Sequence, residues 1–373
     1  MSTGPLLSAE QALLGAVLLD PRRLDHLTWL RPGDFDRPVH TALFDAARTL
    51  ARTSPPPPGF PPVRWLSDVL AEATTHVRGL DAPYLHVLVG ACPQPEHAPF
   101  YGRMVLEGAI HRTVLQHAVR LDDHLTDLRE VLRRTDELTR ALDDAARRWG
   151  VRTRPSSPST AVPDTPVPVS DDPVADERDL LAVLLDDATA LAQVPWLTAE
   201  DFTVPEHGVL FRCVSALVHR GEPVDRITVL WEARRRGPAA DPALGRRLDA
   251  VAQGPAAGDA DWLGEQILRT SLTRAASSTA QRIKTAAGDP SYTPGRLIRL
   301  AHQALAPTEA VRARWHTAHT GQPPPTAPDR VRVTGPERTA AALSRSPHPS
   351  SGAPGETSPA VRHRPEATPR PSR

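Results

Sequence analysis

The sequence predicts an all-α protein made of two small helical-bundle domains, each ending in a helical hairpin, with a disordered linker and a disordered C-terminal tail. Three observations carry that expectation. Trp29 to Phe44, WLRPGDFDRPVHTALF, returns as Trp196 to Phe211, WLTAEDFTVPEHGVLF, at a constant offset of 167 residues, which marks a repeat of domain size. Apolar residues recur at helical spacing along most segments. No segment carries a strand signal. A chain of 373 residues has room for two such domains and their linkers.

Ser8-Ala9-Glu10-Gln11 reads as a capping box, with Ser8 accepting from the backbone at Gln11 and Gln11 reaching back. Leu13, Leu14, Val17 and Leu18 then form one apolar stripe, which Asp20-Pro21 ends or redirects. The string Ala16-Val17-Leu18-Leu19-Asp20 returns as Ala182-Val183-Leu184-Leu185-Asp186, one residue out of register with the main repeat. A short helix through Leu24, Leu27 and Leu30 leads to a turn at Pro32-Gly33-Asp34-Phe35. The next helix starts near Pro38, whose missing N–H costs nothing in a first turn, and turns His40, Leu43, Phe44, Ala47 and Leu50 inward. After the proline-rich stretch 54–62, helices are expected over Val63–Ala73 and around Tyr84–Val89. Phe100–Trp149 reads as a helix pair broken near Leu125–Asp127, with Val105, Ile110, Val114, Leu121, Val131 and Leu138 among its apolar positions.

Residues 151–173 hold too few large apolar groups to offset the entropy of ordering, and read as a linker. The second copy opens at Asp176–Asp186 and lacks the proline insertion of the first. Its hairpin is expected as Trp262–Ala287, a turn at Gly288-Asp289-Pro290-Ser291, and a short closing helix over Pro294–Leu305. Beyond about Glu309 the chain is rich in Pro, Ser and Arg and reads as disordered. The expected boundaries are 6–149 and 174–306 for the two domains, 150–173 for the linker and 307–373 for the tail.

Formal net charge is +0, so no global basic field points to nucleic acid. Residues 311–373 nevertheless hold ten Arg against four acidic residues, a local excess of +6. Lys284 is the one lysine; with so much Arg, Ala and Pro this reflects GC-rich coding rather than function. Cys92 and Cys213 lie in different copies without metal-spaced neighbours and read as incidental thiols. No apolar run approaches the ~20 residues of a bilayer span, and MSTGPLLSAEQ lacks the form of a signal peptide. A cytoplasmic protein without membrane contact or cofactor is expected.

Asp34, Asp36 and His40, with Asp201 and His207 in copy two, invite a metal or acid–base reading. Helix and turn capping with satisfied polar contacts outweighs it, since Asp36 becomes Thr203 and no third ligand recurs. Trp29 and Trp196 sit beside Leu at matching positions, which favours core packing over base stacking. His111, His117 and His124 recur along the first hairpin helix with no acidic pattern for zinc, and read as a solvated or interface face. Arg234-Arg235-Arg236 ends a helix, where cations suit the negative end of the dipole.

AEQALLGAVLLD, DFDRPVHTALFDAARTL and, in copy two, GEPVDRITVL resemble the N-terminal domain of DnaB-type replicative helicases. That family opens on an E-x-x-x-LG-x-LLLD helix, continues through D-F-x-x-x-x-H-x-x-IF and G-x-PVD-x-x-TL, and closes with a helical hairpin. Trp29, Asp34, Phe35, Pro38, His40 and Phe44, with Trp196, Asp201, Phe202, Pro205, His207 and Phe211, are the positions that carry the motif here. Copy one departs at the third motif, where Pro62-Val63-Arg64-Trp65 replaces the PVD signature. The resemblance implies a scaffold in which hairpins pair subunits into a collar that contacts primase and loading factors.

A P-loop needs glycines and a Lys before Ser or Thr; Lys284 follows Gln-Arg-Ile and has no such loop. The expectation is thus a non-catalytic module that binds replicative helicase, primase or loader, and that forms a homodimer or an internal pseudo-dimer. Arg103, Arg112, Arg120, Arg269 and Arg274 are the candidate partner face on the hairpins. A second reading is a DNA-binding regulator that uses the tail, with Arg312, Arg314, Arg330 and Arg332 as contacts and the helical domains as a dimerisation scaffold.

Overall fold

The computed structural model describes residues 4–55, 62–152, 172–236, 242–254 and 258–320, and among them every regular element is a helix. Most of the expected linker and tail therefore lies outside the described residues. Copy one contributes α1 (Pro5–Leu19), α2 (Pro38–Thr53), α3 (Pro62–Thr74), α4 (Ala82–Gly90) and the hairpin α5 (Ala98–Asp122) and α6 (Leu128–Trp149). Copy two repeats the series as α7 (Pro173–Asp186), α8 (Pro205–Arg220), α9 (Arg226–Arg236), α10 (Pro242–Ala252), α11 (Ala260–Gly288) and α12 (Pro294–Thr320). Short 3-10 turns at Pro21–His26 and Pro32–Asp34 recur at Ala188–Gln193 and Ala199–Asp201. No helix among the described residues is long and apolar enough to cross a membrane.

Proline opens α1, α2, α7 and α8, where its fixed φ suits a first turn. α1 is the spine of the first head, buried from Ala9 to Leu18 except at Gln11, because α2, α4 and α5 pack around it. Gly15 is required where α1 meets α4. A Cβ there would collide with the Leu88 carbonyl oxygen and stand 2.8 Å from Cys92 Cβ.

Three expectations change. First, α1 starts at Pro5 with Gly4 as its cap, so Ser8 lies inside the helix and its hydroxyl donates back to the Gly4 carbonyl at 3.4 Å. No capping box forms over Ser8–Gln11. Second, the repeat keeps its offset of 167 through the first helix: Leu13, Leu14 and Val17 correspond to the buried Leu180, Leu181 and Leu184. Asp20 and Asp187 likewise cap matching turns. A one-residue slip would rotate α7 by about 100° and carry its apolar face off the core, so the displaced AVLLD match is coincidence. Third, α12 runs to Thr320, past the expected end at Leu305. Pro307 lacks a backbone donor, yet Thr279 on α11 donates to the Ala304 carbonyl at 2.7 Å and lies 2.9 Å from the Thr308 hydroxyl, supporting that turn. Val311 and Trp315 beyond it are buried, so the apolar face outlasts the proline.

The two hairpins pack on each other, α5 against α11 and α6 against α12. The run is antiparallel: His111 of α5 meets Ala287 at the end of α11, while Asp122 meets Gln281. Small side chains line this stretch, and Ala118, Ala276 and Ala280 are fully buried. The first head's core continues into α11 and α12 through Ile283, Leu297 and Ile298, and the second head's core takes Leu128 and Leu132 from α6.

Gly15→Ala is expected to lower stability by about 2 kcal/mol through overpacking. Gly33→Ala, whose Cβ meets nothing within 4 Å, should stay within about 0.5 kcal/mol of the parent; thermal unfolding of both variants checks the contrast.

Candidate protein-interaction site

The repeated motif builds a lock that fastens each head to its hairpin. Glu10 on α1 is fully buried and joins α1 to the start of α2. It accepts the Asp36 backbone N–H at 2.6 Å, and its other oxygen lies 2.6 Å from His40 Nδ1. His40 Nε2 in turn lies 2.7 Å from the Tyr84 hydroxyl of α4. Copy two repeats this with Glu177, which accepts from the backbone of Thr203 and Val204 and lies 2.9 Å from His207 Nδ1. Beside each histidine two phenylalanines pack at 5.0 Å between centroids, Phe35 on Phe44 and Phe202 on Phe211.

Asp34 caps its turn by accepting the Arg31 backbone N–H at 2.7 Å, and it pairs with Arg148 from the end of α6. Asp201 accepts the Thr198 backbone N–H at 2.8 Å and the Ser271 hydroxyl at 2.7 Å, and pairs with Arg314 of α12. Burial would push the Asp201 carboxyl up, but Arg314 and Ser271 outweigh it and hold it below the usual carboxylate range. Arg112 donates to the Asp34 carbonyl at 2.8 Å and the Asp36 carboxylate at 3.2 Å. Arg274 repeats this on the Glu200 and Asp201 carbonyls at 2.8 and 3.0 Å. Trp29 and Trp196 lie across Gly102 and Gly264, where a Cβ would stand 3.2 and 2.9 Å from the indole ring.

Asp34, Asp36, His40, Asp201 and His207 are thus held in caps and ion pairs within their own copy. Among the described residues no three His, Cys, Asp or Glu side chains gather as a metal site. Cys213 is buried, which pushes its thiol up to about 11. Arg112 and Arg274, expected on a partner face, bond to their own turns. Arg103 stacks over Trp149 at 4.8 Å, Arg120 is exposed near the end of α5, and Arg269 is half-buried on α11. Arg312 and Arg314, expected as DNA contacts in a tail, instead lie in α12, paired with Asp136 and Asp201. Arg330 and Arg332 lie outside the described residues. Glu10, Glu177, Arg148 and Arg314 were not expected in this lock. The repeat signals all four, the glutamates at an offset of 167 and the dipeptides Arg148-Trp149 and Arg314-Trp315 at 166.

Polar contacts also join the hairpins to each other. His111 reaches the Ala287 and Tyr292 carbonyls at 3.0 and 2.8 Å. Lys284 Nζ stands 2.7 Å from the Asp122 carboxylate, and His302 lies 3.7 Å from Asp143. Burial holds His302 below the ordinary histidine value although Asp143 pulls it up; burial, then Arg120, lowers His117 as well. Away from the hairpins, apolar groups stand open. Val63 on α3 and Ile227 on α9 are each 75% exposed at matching places, and Trp231 is 60% exposed with Arg234 stacked at 5.5 Å. A groove of about 360 Å³ runs between α3, α4 and the end of α1, lined by Leu19, Leu66, Leu70, Leu85 and Val89.

A helical head locked to a long hairpin, present twice and paired within one chain, defines a duplicated all-helical module. The model of the DnaB-like helicase N terminal domain matches residues 5–107 and 171–259, just over half of the chain, and the chain belongs to that family. The first match ends within α5 and the second just before α11, so the heads carry the family signature and most of each hairpin lies beyond it. The chain is also similar to the replicative DNA helicase DnaB of Mycobacterium leprae (strain TN), 34% identical over 121 residues, which are 31% of this chain and 18% of that helicase. It thus spans less than a fifth of that relative's length.

Two outcomes follow from this geometry. Glu10→Ala strands the Asp36 N–H and the His40 ring in a buried site, and should cost about 3 kcal/mol in denaturant unfolding. For pH the sign follows from the depressed histidines: as pH falls through 6.5 the unfolded chain takes up protons that folded His302 and His117 refuse, so stability drops. Thermal midpoints recorded down that range should fall, and His302→Gln should flatten the slope.

Proposed function

We propose that this chain is a non-catalytic protein-interaction module of DNA replication, related to the collar of the replicative helicase, that binds helicase, primase or loader in the cytoplasm. The observation that supports this most is the pairing of its two hairpins within one chain. In the family it resembles, hairpins pair subunits into a collar; here one chain supplies both members, and tethering keeps their effective concentration high. The collar's unit then forms without a second subunit, and the heads are free to meet a partner. Exposed Trp231 with Arg234 has the residue types that dominate binding energy at interfaces, and the groove beside α3 offers open apolar surface.

The sequence holds no P-loop, and Lys284, its one lysine, is spent on Asp122, which supports the non-catalytic reading. The competing reading, DNA binding through the tail, keeps Arg330 and Arg332, while Arg312 and Arg314 are engaged in α12. The test is capture by the immobilised full chain from lysate of its source bacterium, repeated with purified helicase and primase. Retention of either is expected, with Trp231→Ala weakening it by roughly tenfold. If neither binds while the chain holds DNA and loses it on removal of residues 321–373, the regulator reading replaces this one. ATP hydrolysis above background would overturn the non-catalytic part.

A further inference from the structure

The hairpins of the two copies correspond residue by residue. α5 matches α11 at an offset of 162, anchored by Gly102 with Gly264 and Arg112 with Arg274; α6 matches α12 at 166, anchored by Arg148-Trp149 with Arg314-Trp315. In that register Asp122 and Lys284 are the same position, and they face each other at 2.7 Å. The pseudo-twofold axis that relates the hairpins therefore passes through this contact.

In a pairing of like with like, a position on the axis meets itself. Copy one against copy one would set two Asp122 carboxylates together, and copy two against copy two would set two Lys284 ammoniums together. The contact is partly screened from water, with side-chain exposures of 16% and 31%, so like charges there are less damped than on an open surface. The neighbouring helices add to this. Asp136 corresponds to His302 and Asp143 to Glu309. In the chain as it stands His302 faces Asp143 at 3.7 Å, and Arg312 bridges Asp136 and Glu309. Arg312 occupies the place of Ala146 in copy one. Copy one paired with itself would therefore set Asp136 against Asp143 twice with no arginine between them. His111, which corresponds to Thr273, holds the end of α11 only in the mixed pairing.

We propose that these contacts form a pairing code. The two hairpins are built for each other and against their own kind, and Asp122 and Lys284 set the specificity. The code rests on the pairing geometry and not on the proposed link to the helicase. Its consequence is closure: a hairpin that accepts only the other copy is satisfied within its own chain and does not propagate into open self-association.

The test is a double-mutant cycle in the full chain. Lys284→Asp and Asp122→Lys each put like charges on the axis, and each should lower the thermal midpoint by about 5 °C, further than the neutral Lys284→Gln and Asp122→Asn. The double reversal, Asp122→Lys with Lys284→Asp, should recover most of that loss. A reversal that costs no more than the neutral variant, or a double variant as unstable as the two losses added, overturns the code. Should a single reversal fail to fold, folding of the double reversal supports the code and its failure overturns it. By light scattering the unaltered chain should hold the mass of one chain, 40.4 kDa; a mass that climbs with concentration counts against closure.

Discussion

Each head finishes its core with side chains from the other copy's hairpin, and the rest of the architecture depends on that exchange. Ile283, Leu297 and Ile298 of copy two are buried in the first core, and Leu128 and Leu132 of copy one in the second. Burying one such side chain contributes about 1.5–3 kcal/mol, whereas a partly exposed ion pair contributes about 1 kcal/mol or less. The apolar exchange therefore supplies the strength of the hairpin pairing, and the polar contacts across it decide which hairpin is accepted. This division also explains the alanines: Ala118, Ala276 and Ala280 let long helices approach closely enough for the larger side chains on either side to reach the opposite core.

The fold class, the duplication and the hairpins were legible because each rests on local pattern: helical periodicity, a motif repeated at fixed spacing, and proline at first turns. The buried polar locks were less so. Glu10 lies between Ser8 and Gln11, the pair expected to cap the helix, and only the fold brings His40 and the Asp36 N–H to it from the next helix. Polar residues carry no periodic sign that they face inward, so an acid on an apolar helix reads as surface until its partners are known. The closing helix was obscured for a different reason. Pro307 and a rising Arg content are ordinary signs of a helix end, but the hydroxyls of Thr279 and Thr308 support the turn that the proline weakens. The Arg314-Trp315 pair, matching Arg148-Trp149, was the local signal that the helix continues.

The two copies agree and disagree in a regular way. The central contacts of the lock inside a copy match: Glu10–His40 with Glu177–His207, Asp34–Arg148 with Asp201–Arg314, Arg112 with Arg274 on the turn carbonyls. Contacts between the copies do not: Asp122 with Lys284, Asp136 with His302, His111 with Thr273. An internal lock must be complete in each copy for its head to hold its hairpin, so both copies need the same residues. A contact across the pairing axis is made once, by two different residues of one chain, so the two sides can differ as long as they suit each other.

That asymmetry bears on where a partner can dock. The arginines first placed on a hairpin face are largely committed: Arg112 and Arg274 to their own turns, Arg103 to Trp149. The hairpins fill each other's facing sides, while on the outer side of α5 Phe100 and Met104 stay exposed one turn apart. The heads differ. Val63 and Ile227 stand at corresponding places and are both open; copy one continues into an apolar groove, and copy two carries Trp231 under Arg234. Any partner docking on the heads would therefore meet two different surfaces, an apolar groove on one and a Trp–Arg pair on the other.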